Sequence, residues 1–137
     1  MPDRAELAAA VREFLRARGC EDPIVEHGLE GLIAAWEEFA GALERGYPLD
    51  TLDDYLNDLD GRELIEEALD QVPDLRDEIA PRLEIADRRA RACLAPRERC
   101  LWGDRLARAN GWSAARQWWY FMQPAAPGPG LARDLGV

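Results

Sequence analysis

The sequence has no lysine, one histidine, one serine and one threonine. Each shortage closes off some chemistry. A helical di-iron centre needs Glu-x-x-His from each of two helices, and His27 alone cannot supply both. Zinc needs a set of Cys and His ligands. Cys20, Cys93 and Cys100 form no CxxC pair, so reduced, structural thiols are expected, with no metal and no cofactor. Thr51 and Ser113 both stand where helix N-caps belong, so neither reads as a nucleophile. Gly128-Pro129-Gly130 follows no strand pattern and precedes no helix pattern in the sequence, so a phosphate-binding loop is not expected. No apolar run approaches the ~18–20 residues of a membrane span. The first residues lack a signal peptide's order of basic start, apolar centre and small-residue cleavage site, so a cytoplasmic protein is expected. All 17 basic residues are arginine, a usage expected of a GC-rich bacterial genome.

What the chain does have is charge, unevenly spread. Its 137 residues suit one domain, with net charge −10. Residues 1–80 hold 22 Asp/Glu against 7 Arg, and residues 81–137 hold 5 against 10. The acidic half precedes a basic one.

The apolar residues recur at helical spacing nearly throughout, with no convincing strand pattern. The expected fold is all-α: a compact bundle of five to seven helices over residues 1–123, followed by a Pro/Gly-rich extended tail from 124 to 137. A first helix spans about 4–18, capped by Asp3 with Glu6 and ended near Gly19. A second begins at Asp22-Pro23. It carries the seam Val25, Leu29, Leu32, Trp36, Phe39 and Leu43, and stops at Gly46 and Pro48. A later helix carries Leu75, Ile79, Leu83, Ala86, Ala90 and Cys93, with Pro81 expected to kink or split it. A helix over about 97–109 ends at Asn110-Gly111, and Ser113 caps a last one through SAARQWWYFMQ.

The stretch DDYLNDLDGRE (53–63) invites comparison with a calcium-binding EF-hand loop. With Gly61 at position 6, Asp58, Asp60 and Glu67 fall on ligand positions 3, 5 and 12. Position 1 is then Leu56, which has no side-chain oxygen. Two short helices meeting at an Asp60-Gly61 joint fit better, with Asp60 as N-cap and Glu63 three residues on. His27 and Glu30, three apart on the second helix, are a loose match to a metal or acid–base pair, and His27 lies off the apolar seam.

Eight arginines between Arg82 and Arg108, with Trp102 and Trp112 among or beside them, have the composition of a nucleic-acid patch. Against this, Glu78–Arg82, Glu84–Arg88, Asp87–Arg91 and Asp104–Arg108 are i,i+4 pairs with the acid first, and net charge −10 repels phosphate. Nucleic acid is therefore not expected. Trp112, Trp118, Trp119, Tyr120 and Phe121 fall within ten residues, and no single helix face can bury the last four of them. Either the chain wraps this end, or an aromatic patch stays exposed as an interface.

Together these features favour a small acidic interaction protein over an enzyme. The concrete form is an immunity- or antitoxin-like inhibitor or regulator of a basic partner. Its acidic face would be Asp50, Asp53, Asp54, Asp58, Asp60, Glu63, Glu66 and Glu67, with anchors at Trp112, Trp118, Trp119 and Tyr120. The alternative is a self-associating protein in which the acidic half of one copy meets the basic half of another. A third reading is a metal-dependent enzyme built on Glu26, Glu30, Glu37 and His27.

Overall fold

A computed structural model describes residues 2–47 and 51–137. Pro48 and Asp50 lie outside the described residues. The architecture is all-α, with six α-helices among the described residues. These are α1 (Arg4–Ala17), α2 (Asp22–Glu44), α3 (Leu52–Gln71), α4 (Arg76–Ala92), α5 (Asp104–Asn110) and α6 (Pro129–Leu135). Two three-residue strands, β1 (Leu94–Pro96) and β2 (Met122–Pro124), pair antiparallel with Ala95 opposite Gln123. Strands this short, with proline at an end of each, leave no period-2 signal to read.

Helix α2 is the hub and packs against α1, α3 and α4. Its whole apolar seam is buried, from Val25 to Leu43. Trp36 stacks on Phe39 with ring centroids 4.9 Å apart, and Phe39 meets Tyr55 of α3 at 5.8 Å. At α1 the expected cap forms: Asp3 accepts the Glu6 backbone N–H at 2.8 Å.

Helix α2 breaks once. Gly28 has φ +63° and ψ −152°, a conformation essentially reserved for glycine. A Cβ on Gly31 would stand 2.5 Å from that of His27, so the break also depends on a second glycine. His27 and Glu30 consequently do not share an unbroken helix, which corrects the i,i+3 reading.

Helix α3 also departs from expectation. Asp60-Gly61 is no joint: the helix runs through it for 20 residues. Asp60 caps nothing. Its carboxylate instead accepts the Trp102 indole N–H and the Tyr120 hydroxyl. The real cap is Thr51, which accepts the Asp54 N–H at 3.1 Å. A continuous helix also removes the loop that an EF-hand requires.

Pro81 lies inside α4, which continues through it unsplit. The expected helix over 97–109 is shorter, because the Arg97 and Leu101 N–H groups donate to Phe121 and Tyr120 carbonyls. Helix α5 therefore starts only after Gly103 (φ +94°). SAARQWWYFMQ forms turns, a 3-10 segment (Trp118–Phe121) and β2 rather than one helix. The tail is not extended throughout: Pro129–Leu135 coils into α6, which buries Leu131 and accepts the Leu52 N–H on Asp134.

Candidate binding site

Several arginines of the second half are spent within the fold. Arg82 reaches back to Glu30 and Glu37 of α2 at 2.7 and 2.6 Å, Arg89 to Glu44, and Arg116 to Asp70. Of the four i,i+4 pairs expected from spacing, none forms among the described residues, and three of the acids take other partners. Glu78 takes Arg4, Asp87 takes Arg62, and Asp104 lies 3.9 Å from Arg99. Arg91 lies over the Trp118 ring at 4.8 Å.

One ion network is buried. Arg62, 4% exposed, forks onto Asp87 with two 3.0 Å bonds and reaches Glu66 at 3.2 Å. The Trp36 indole donates to the same Asp87 at 2.9 Å, and the Arg62 guanidinium sits 4.4 Å over the Trp119 ring. This knot joins α2, α3, α4 and the 3-10 segment. The Arg62 and Trp36 donors face acceptors, although the Trp119 indole N–H is buried without a partner among the described residues, so the role of the knot is architectural.

A cavity of about 420 Å³ lies on the other side of α3. The corner between α1 and α2 supplies Arg18 and Cys20. Helix α3 supplies Asp60, Glu63, Leu64 and Glu67. The loop before α5 supplies Trp102, and the chain beyond α5 supplies Trp112 and Tyr120. Spacings of 60, 63, 64 and 67 put those four on one face of α3. Trp112 lies on Tyr120 with centroids 4.5 Å apart and planes 35° from parallel, so they form one aromatic wall.

The carboxyls in this cavity are in three different states. Glu67 is held by the Arg18 fork, with bonds of 2.9 and 3.3 Å. Asp60 accepts on a single oxygen from Trp102 at 3.0 Å and Tyr120 at 2.6 Å. Burial and then Asp60 raise the Tyr120 phenol, which keeps its proton and remains a donor. Glu63 is 8% exposed, and its Oε2 is buried with no hydrogen-bond partner among the described residues. Burial first, then the neighbouring Glu67 and Glu66, push its carboxyl up to about 7. Burial likewise raises the Cys20 thiol, against the pull of Arg18.

The fold therefore divides the residues singled out in the sequence. Asp60, Glu63, Trp112 and Tyr120 come together here. Asp53 and Asp54 stand exposed at the start of α3, and Asp58 is half-buried, accepting the Tyr47 hydroxyl. Glu66 belongs to the Arg62 knot. The acidic stretch is thus no single face, because a continuous helix turns its carboxylates to different sides. Trp118 and Trp119 correct the anchor assignment. At 9% and 1% exposure they are core, with Trp118 edge-on to Trp36 at 6.3 Å. In the sequence, Trp102 reads only with the arginine patch, Cys20 only as a structural thiol, and Arg18 is not singled out. They arrive from distant segments, and no local pattern marks them.

A second cavity, about 440 Å³ and mostly apolar, lies between α2 and α3 beside Ile24, Leu32, Trp36 and Asp58. Among the described residues no group of three His, Cys, Asp or Glu side chains is placed to hold a metal ion. No helix there is long and apolar enough to cross a membrane. Searches against family models, curated proteins and solved structures find no match to this chain.

Proposed function

We propose that the protein is an acidic interaction module, an inhibitor or regulator of a basic partner in the manner of an immunity protein or antitoxin. The acid–aromatic cavity receives a cationic side chain of that partner. The observation that carries this reading is the imbalance inside the cavity. Three carboxyls face one guanidinium, and the most buried of them, Glu63, has no ion pair or hydrogen bond among the described residues. A buried carboxyl without a partner is costly, and an incoming cation relieves that cost. Aromatic walls favour the same occupant through their negative faces. Net charge −10 steers a basic partner in from a distance.

The self-association reading has less to stand on. Arg82, Arg89 and Arg116, which would have met the acidic half of another copy, pair within the chain. The Trp118–Trp119 end is occupied by core packing.

The test compares partner capture by the wild type and by Trp112→Leu, from a lysate at low and at high salt. A stoichiometric basic protein, released by salt and weakened at least tenfold by the substitution, is the expected result. Capture indifferent to both salt and Trp112→Leu would sink the reading.

A further inference from the structure

We propose that the Asp60–Glu63–Trp112 cavity is a receptor for an ammonium group and discriminates against guanidinium. This deepens the preceding reading and rests on it only for the source of the ammonium group. The discrimination comes from which carboxylate oxygens remain open. A guanidinium binds best as a fork, with both oxygens of one carboxylate in its plane. No carboxylate in the cavity offers that pair. Both oxygens of Glu67 are taken by Arg18. One oxygen of Asp60 is taken by Trp102 and Tyr120. One oxygen of Glu63 is enclosed.

What remains without a hydrogen bond among the described residues is the second oxygen of Asp60 and the carboxyl of Glu63, beside the Trp112–Tyr120 wall. A compact ammonium charge sits well between two oxygens of different residues, with its alkyl stem along aromatic surface. The chain's composition adds a constraint: it contains no lysine, so no side chain of a second copy can supply the group. The occupant comes from another molecule, either a lysine side chain of a protein partner or a free alkylamine. Both present the same alkylammonium chemistry.

The experiment titrates the full chain with n-butylammonium chloride, n-butylguanidinium chloride and 1-butanol at equal ionic strength and pH 8, followed by calorimetry. Butylammonium binding at least tenfold tighter than butylguanidinium is expected, with 1-butanol inert. Glu63→Gln should weaken butylammonium at least tenfold, while Glu84→Gln, on the exposed face of α4, leaves it unchanged. Thermal melts of both variants keep a loss of binding separate from a loss of fold. Equal or tighter binding of butylguanidinium, or butylammonium binding indifferent to Glu63→Gln, would overturn the proposal. Partner capture separates the sources. If Glu63→Gln also abolishes salt-sensitive capture, the ammonium is the partner's lysine. If butylammonium binds but capture is unaffected, it is a free amine, and the protein-partner reading fails while the receptor stands. Salt-sensitive capture without butylammonium binding would have the opposite meaning.

Discussion

At the residue scale, Glu63 couples the cavity to pH. Facing it are Arg62, Glu66 and Glu67 of its own helix, Asp60 one turn back, Arg18 and Cys20 from the α1–α2 corner, and Arg116 from the segment before the 3-10 turn. Burial dominates, so the folded carboxyl titrates near 7 instead of near 4.5. A raised folded pKa means the native state holds the proton more tightly than the unfolded chain does. The stability this brings is fully present below about 4.5 and is lost as pH rises through about 7. Glu63→Gln mimics the protonated form. Its stability relative to wild type should therefore rise between pH 5 and pH 8, by on the order of 2–3 kcal/mol. Urea unfolding at the two pH values measures this, and a pH-independent difference would show that Glu63 ionises freely in the fold. Ammonium binding should strengthen over the same range, because it needs the carboxylate. Arg62 makes the opposite case. Arg62→Ala strips Asp87 of its forked partner in a buried setting, and urea unfolding should show a loss of about 3–5 kcal/mol. By contrast, breaking a surface pair such as Arg89–Glu44 should leave the urea midpoint nearly unchanged, because solvent and salt screen it.

At the element scale, two glycines in helices make opposed predictions. Gly28 occupies a backbone region that no side-chain-bearing residue adopts without strain, so Gly28→Ala should destabilise by about 1–3 kcal/mol. Gly61 lies in regular α3 with open space where its Cβ would go. Gly61→Ala should therefore stabilise by about 0.5–1 kcal/mol. Thermal melts decide, and a loss at Gly61 would restore the Asp-Gly joint that the local sequence suggests. The contrast shows what the sequence could carry at this scale. The α2 seam was legible because its period is sustained over five turns and flanked by glutamates. The break at Gly28 was hidden inside that same period. The Asp60 capping pattern misled because Asp60 is satisfied by Trp102 and Tyr120, 42 and 60 residues away. SAARQWWYFMQ gave partial warning. Four adjacent aromatics cannot share a helix face, and the chain meets that constraint with a 3-10 turn and a strand.

At the scale of the whole molecule, the lopsided charge becomes a folding device as well as a surface property. Helix α4 lays Arg82 and Arg89 along the glutamates of α2, which pairs two of the second half's ten arginines across the fold. What is left over is acidic, and in the cavity beside α3 it is acidic against aromatic. The sequence named both ingredients, Asp60 and Glu63 on one side and Trp112 and Tyr120 on the other. It could not bring them together, because the folding of residues 97–121 against α3 is a tertiary event with no local signature. The most direct test of the cavity as a cation receptor follows the indole N–H signals of the tryptophans by nitrogen-15 NMR while butylammonium is added at pH 8. The Trp102 and Trp112 signals should shift in a saturable way, Trp102 most, since its N–H is bonded to Asp60. Those of Trp36 and Trp118, buried in the core, should stay in place. No saturable shift at Trp102 and Trp112, or equal shifts at every indole, would contradict a cation site in this cavity.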